Sequence, residues 1–412
     1  MLADQIHVME ADARIGFAKG VDRVGRMLRR VVVGTKAPVS RECEFLVAAV
    51  RRFFHPEDPL QDPSGLDWSE LVRLSTAHAV TPMLYRALRS IPIPQHADES
   101  FRLAFEANTR RNLALSAELC RLAELFEEHA IAFIPLKGPV LSQQLYGDLS
   151  MRCSADLDWL VLPHDVLGVR NVLTARGYRV GSRLHWPCDS ACLRCREAEI
   201  SLVDEARLLT VDLHWRILPS YFASAFDYEE VWQSLVSIPF CGRTIPGLCP
   251  EHLLPLLCAH GAKHAFARVG WICDIASCLI AFPNLRWPDV LAASTRAGTM
   301  RQLLQGLRIA EDLLGVPLPA TLPEDPAVEK LVTFVRNRVL AAAPMPIPES
   351  ELIPFSLRLF ESRRHRLRYL LGHFAPSRAE YQAVQLPPAF YFLYYFFRPL
   401  RLIARSLQLA GV

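Results

Sequence analysis

The chain has 412 residues, 51% of them hydrophobic and 22% charged, enough to bury a large core divided into two or three subdomains. Its net charge is only +3, which excludes a general affinity for polyanions; nucleic-acid binding would need a local basic patch. The mixed, acidic start MLADQIHVMEADARIG lacks a secretory pattern, and no run approaches the ~20 apolar residues of a membrane span, so a cytoplasmic protein is expected.

Residues 1–40 read as an N-terminal extension. Its stretch 15–33 is amphipathic and basic (Lys19, Arg23, Arg26, Arg29, Arg30) and suits either a partner helix or a loosely ordered segment. Residues 41–130 read as helical. Cys43–Phe54 has apolar residues at helical spacing, Asp67 with Glu70 three residues later marks a helix start, and Thr81-Pro82 opens the next helix. Ser100–Ala130 is a long amphipathic segment that delivers the chain into a strand. His78 has no sequence partner and is expected to be structural. The 11 cysteines are expected as free thiols, buried at Cys43, Cys120, Cys258, Cys273 and Cys278.

The stretch from Ile134 to Leu162, IPLKGPVLSQQLYGDLSMRCSADLDWLVL, carries the densest signal. An apolar run ends in Lys137-Gly138, Pro139 opens a helix, and Asp156–Leu162 reads as a buried strand. Residues two apart on a strand share a side, so Asp156 and Asp158 project together. Two adjacent carboxylates repel, and a divalent cation resolves that repulsion; Mg²⁺ takes one or two carboxylates plus phosphate oxygens. Arg207–Ile217 reads as a later strand carrying Asp212, with His214 two residues on and on the same side. A carboxylate between Val211 and Leu213 is costly if buried without a partner or metal. Cys188, Cys192 and Cys195 form C-x₃-C-x₂-C, a spacing used by iron–sulfur enzymes, but the barrel context such motifs need is absent. Ile238–Phe240, Gly242 and Thr244-Ile245 predict a short hairpin.

Residues 249–342 read as helical again. His260 and His264 lie one turn apart, with Lys263 between them and Asp274 following in W-x-x-D. The lysine disfavours a dication, so His260, Lys263, His264 and Asp274 form a candidate edge for nucleotide or acceptor; simple packing of the histidines is the alternative. Residues 343–412 read as a proline-rich linker (Pro344 to Pro354) followed by an aromatic and basic helical tail. Its 390–405 segment suits packing on the core, or a protein or membrane-surface contact that would leave the protein peripheral to the inner membrane.

Strand, glycine turn, helix and D-x-D strand in this order resemble the core of the DNA polymerase β-like nucleotidyltransferases. More narrowly, LKG…LY…R…DLDWLV, DLHW and HGAKH are similar to an uncharacterised bacterial nucleotidyltransferase family, over residues 60–320. The resemblance implies an α+β fold: a small mixed-sheet core over 131–248, flanked by helical regions. It implies Mg²⁺-dependent transfer of an NMP group from an NTP, ATP being the first candidate, to a hydroxyl on a small molecule or protein. Asp156, Asp158 and Asp212 match the catalytic, metal-binding carboxylates of two Mg²⁺ ions, for which Mn²⁺ can substitute. Lys137 and Gly138 stand where Gly-Ser is usual; with Arg152 and His214 they are the expected nucleotide contacts. The modest charge sets a long nucleic acid aside. The altered Gly-Ser leaves a second expectation open, a catalytically degenerate module that binds nucleotide or a partner.

Overall fold

Helices form where apolar residues recur every three or four positions, and strands where they alternate or run together. The computed structural model describes residues 39–181, 193, 198–219, 221–222, 227–341, 347–376, 378–384 and 386–409. The extension over 1–38 and the Cys188/Cys192/Cys195 motif lie outside the described residues.

Helix α1 (Arg41–Phe54) starts at Ser40, whose hydroxyl accepts from the Cys43 N–H. Helix α2 (Trp68–Ala77) starts at Asp67, whose carboxylate accepts from the Glu70 N–H at 3.1 Å, the cap that the spacing predicts. Helix α3 (Thr81–Leu88) has Pro82 in its first turn, where no N–H is needed. Helix α4 (Gln95–Glu128) is 34 residues long, about 50 Å. Of the cysteines expected to be buried, Cys43, Cys258, Cys273 and Cys278 are, Cys120 is half-buried, and all five are free thiols.

His78, at the end of α2, is buried, and its Nδ1 has no hydrogen-bond partner. Burial, then the charges of Arg73 and Arg268, depress it to about 4. The unfolded chain therefore takes up this proton near pH 6.5 while the folded protein refuses it until about 4, so the stability associated with neutral His78 is present above 6.5 and lost as pH falls. His78→Leu is expected to keep about 2 kcal/mol that the wild type loses between pH 6.5 and 5. Urea titrations at both pH values check this; parallel losses in the two proteins would remove the assignment.

The sheet has the order β1-β2-β5-β4-β3. Strand β1 (Phe133–Pro135) is antiparallel to β2 (Leu157–Val161), with α5 (Gly138–Tyr146) between them in sequence. Helix α6 (Val166–Ala175) and β3 (Arg179–Val180) follow. Strand β4 (Glu199–Asp204) pairs antiparallel with β5 (Leu209–His214), and β5 lies parallel to β2. This is a mixed sheet in an α+β protein, as the resemblance implies. The D-x-D strand begins at Leu157, one residue later than the alternation suggests, so Asp156 sits at its entrance. Strand β4 has no counterpart in the sequence reading.

One sheet face is apolar. Trp159 is fully buried there, edge-on to Phe126 and Phe133 with centroids 5.0 and 5.1 Å away. Leu157, Val211 and Leu213 join it beneath α4 and α6. The opposite face carries Ile134 and Leu160 into a larger core shared with helices from both ends of the chain. Because side chains alternate, the aspartates fall on that second face. Helix α7 (Tyr228–Gln233) and a hairpin of β6 (Val236–Phe240) and β7 (Arg243–Gly247) close this region.

The chain continues through α8 (Pro250–Lys263), α9 (Val269–Ala281), α10 (Trp287–Ala297), α11 (Met300–Leu314) and α12 (Pro326–Leu340). Within the linker expected over Pro344 to Pro354, the described residues from Glu349 onward are helical instead: α13 spans Glu349–Leu359 with Pro354 inside it. Phe355 and Leu359, each 1% exposed, anchor it to the large core, and that burial outweighs the hydrogen bond a proline removes. Helices α14 (Arg363–Phe374) and α15 (Arg378–Ala383), a 3₁₀ turn (Pro388–Leu393) and α16 (Tyr394–Leu409) complete the chain. Among the described residues no helix is long and apolar enough to cross a membrane.

Candidate active site

The turn from β1 into α5 passes through Gly138 at φ +70°, a left-handed conformation that costs a side chain energy. A Cβ there would also sit 3.4 Å from the Asp156 carbonyl oxygen. Gly138→Ala is therefore expected to lower stability by about 1–2 kcal/mol. Denaturant midpoints check this; an unchanged midpoint would show that the turn tolerates a Cβ.

The register places Asp158 directly beside Asp212 on parallel strands, and Leu160 beside His214. Asp158 is buried, and both of its oxygens are engaged. His214 Nε2 donates to Oδ1 at 2.9 Å, and Lys137 Nζ lies 3.6 Å from Oδ2. On its other side His214 Nδ1 lies 3.7 Å from Glu199 of β4. Asp212 faces Ser201 across the antiparallel pair, and its Oδ1 is buried without a partner.

These surroundings separate the three carboxyls. Burial, then the charges of Asp158 and Asp212, push Asp156 up to about 6, against the pull of Lys137 and Arg152. Burial raises Asp212 as well, opposed by the Ser201 hydrogen bond. Burial also works against ionised Asp158, but Lys137 and His214 together outweigh it and hold that carboxyl well below the usual range. The cluster is short of positive charge at Asp156 and Asp212 and satisfied at Asp158.

A cavity of about 200 Å³ opens above Asp156 and Asp158, lined also by Lys137, Arg152, His260 and Trp271; Asp212, Gly138 and His214 do not line it. Ligand pockets span roughly 300–1,000 Å³, so the cavity encloses only part of a nucleotide. Arg152 does not point freely into it. Its Nε donates to Asp274 Oδ2 at 3.1 Å, and the Tyr146 hydroxyl donates to Asp274 Oδ1 at 3.0 Å. Both Arg152 and Asp274 are largely buried, so the pair forms part of the wall.

His260, His264 and Trp271 form a ring cluster with centroids 5.0–5.4 Å apart. Burial, then the Lys137 charge, holds His260 well below its ordinary range, and burial with Lys263 and Lys137 depresses His264 to about 3. Both imidazoles are therefore neutral and packed on an aromatic face. Of the expected edge, His260 and Asp274 line the cavity whereas Lys263 and His264 do not.

The loop that delivers Asp156 is held from outside the sheet. Asn112 Nδ2 on α4 donates to the carbonyls of Leu149 at 2.8 Å and Arg152 at 2.7 Å; Asn108 donates to Ser150 O, and Arg111 to Ser154 O. These three residues, together with Glu199 and Ser201, are absent from the sequence reading, as is the bond of Tyr146 to Asp274. Their visible trace is a polar stripe at 108, 111 and 112 on an otherwise amphipathic helix.

The mixed sheet is the fold that the resemblance to polymerase β-like nucleotidyltransferases implies, and it brings Asp158 beside Asp212 with Asp156 at the entrance of β2. The chain belongs to the family described as uncharacterised nucleotidyltransferase, whose model matches residues 64–315. That membership points to nucleotidyl transfer. Among solved structures, an antigenic nucleotidyltransferase-like protein from Paracoccidioides brasiliensis is similar over 50% of this chain and 95% of its own, at 14% identity and a TM-score of 0.30. No curated protein matches the chain.

Proposed function

We propose that the protein moves an NMP group from an NTP to a hydroxyl acceptor, on a small molecule or a protein, with Mg²⁺ held by Asp156, Asp158 and Asp212. The observation that carries this is the side-by-side register of Asp158 and Asp212, with Asp156 at the strand entrance and Lys137 against Asp158.

The donor set fits a hard cation. All three donors are carboxylates, one buried oxygen of Asp212 lacks a partner, and Asp156 resists ionising because burial and the charges of Asp158 and Asp212 outweigh Lys137 and Arg152. Among the described residues no three His, Cys, Asp or Glu groups already converge at ligand distance; Asp158 is turned toward Lys137 and His214. When bound, Mg²⁺ would neutralise charge developing on the phosphates and lower the acceptor's pKa.

In this reading, Lys137 exchanges its contact with Asp158 for the triphosphate oxygens, and His214 keeps Asp158 oriented. The Gly138 backbone permits close approach of phosphate. Asp212, held partly protonophilic by burial, accepts the acceptor's hydroxyl proton. The acceptor oxygen attacks the α-phosphorus, the bond to the β-phosphate breaks, and pyrophosphate leaves.

Thermal denaturation with each NTP, with and without Mg²⁺, tests the site. One NTP is expected to raise the midpoint only with Mg²⁺, and Asp158→Asn to lose that shift while remaining folded. No shift with any NTP at millimolar concentration would sink the reading. A second reading rests on the Lys137–Asp158 contact, an ammonium placed where a metal would sit: a nucleotide-binding module without turnover. An NTP shift independent of Mg²⁺, with no pyrophosphate released across an acceptor panel, would favour it.

A further inference from the structure

Large exposed apolar side chains are not spread evenly over this protein. Of the sixteen among the described residues, eleven lie between Leu367 and Leu400. Scattered apolar side chains need no explanation, but a contiguous concentration marks a contact surface.

Helix α14 shows how the concentration arises. Its inner edge is docked: Tyr369 is buried against Phe360 and Phe222, and Gly372 lies so close to Tyr221 that a Cβ would fall 2.3 Å from that side chain. The face turned outward should then be polar. It instead carries Leu367, Leu370, Leu371 and Phe374, each 39–57% exposed, at i, i+3, i+4 and i+7. Exposed Arg363 and Arg364 stand one turn before this stripe.

Helix α16 packs beside α14 and extends the surface. It is fixed by its own small core: Tyr381, Tyr391 and Tyr394 cluster, and buried Glu380 accepts from Arg398 at 3.0 Å and Arg401 at 2.7 Å. With those residues turned inward, Phe392, Tyr395, Phe396 and Leu400 face solvent at 57–65% exposure.

Charge indicates the occupant. Residues 361–412 hold eight arginines against two glutamates, a net +6, whereas the preceding 360 residues sum to −3. A second copy would bring like charge against like. The basic stretch over 15–33 would do the same. Exposed leucine and phenylalanine with Arg363 and Arg364 beside them complement a layer with an anionic surface and an apolar interior.

We propose that the outward face of α14, the 3₁₀ turn and α16 is an interfacial membrane-binding surface selective for anionic lipid. The aromatic and leucine side chains would enter the headgroup–acyl boundary, and no segment would span it.

Flotation of the full-length protein on phosphatidylcholine vesicles, with and without 30% phosphatidylglycerol, tests this. The anionic vesicles are expected to carry at least about tenfold more protein, with the excess falling in 0.5 M salt. Leu367→Ser/Leu371→Ser and Phe392→Ser/Phe396→Ser should each cut binding about tenfold at an unchanged melting midpoint, since all four side chains are exposed. Arg363→Glu/Arg364→Glu should abolish the preference for anionic lipid. Three results would overturn the proposal: no flotation by wild type; flotation unchanged in the apolar variants; or no flotation together with a concentration-dependent dimer, in analytical ultracentrifugation, that those variants abolish. The last would make the face a contact between copies.

Discussion

Asp156→Asn is expected to stabilise the metal-free protein while silencing its chemistry. Asp156 titrates near 3.8 when solvated and is pushed up to about 6 in the fold. Its folded pKa is raised, so its favourable contribution is complete below 3.8 and is lost as pH rises through 6. Above that, ionised Asp156 costs about 3 kcal/mol. Asparagine keeps the shape and carries no charge, so at pH 8 in EDTA the variant should unfold at higher denaturant, with the gap closing near pH 4. With saturating Mg²⁺ and the preferred NTP the order should reverse, because mass action gives the wild type about 4 kcal/mol at about a thousandfold excess over Kd. Transfer should fall by more than about a hundredfold. Equal stability of the two proteins at pH 8 would show that the aspartates do not strain the empty site, and retained transfer would remove Asp156 from the catalytic set.

The second large effect falls on the wall of the cavity. Asp274→Ala should lower stability by about 3–5 kcal/mol, because it leaves the Arg152 guanidinium buried without a counter-charge and takes the acceptor from Tyr146. Arg152→Met/Asp274→Leu should recover most of that loss, since replacing both members of a buried pair is often neutral. Chemical denaturation of the two singles and the double forms a cycle whose coupling should exceed about 2 kcal/mol. A loss below 1 kcal/mol for Asp274→Ala would mean that Arg152 is free to leave the pair, and would restore it as a direct nucleotide contact.

The contrast between these sites shows what was legible in the chain. Asp156, Asp158, Asp212 and His214 could be read because a strand repeats every two residues: alternation names the shared face before any partner strand is known. The neighbouring of Asp158 and Asp212 needed the resemblance, since register between parallel strands leaves no local trace. Arg152 and Asp274 could each be picked out, but not their pairing across 122 positions; each was therefore assigned to the ligand instead of to the other. Strand β4 escaped because its alternation is carried by Ile200, Leu202 and one buried carboxylate, Asp204. Helix α13 escaped because Pro354 is a breaker in isolation and only the burial of Phe355 and Leu359 overrides it. The outward leucines of α14 were hidden because the helix is apolar on both sides, and periodicity cannot tell the docked side from the bare one.

The grip of α4 on the loop before Asp156 bears on how this protein can be divided. Five carbonyls of that loop accept from Asn108, Arg111 and Asn112, and the arginine within it is neutralised from α9. Neither holder lies in the stretch from 131 to 248 that contains the sheet. The sheet is thus not a portable cassette. A fragment cut at its ends would lose the scaffold of its own reactive loop and expose Ile134, Leu136 and Leu160, which belong to a core completed by both flanks. An evolutionary graft of this sheet onto another body would have to carry α4 and α9 with it.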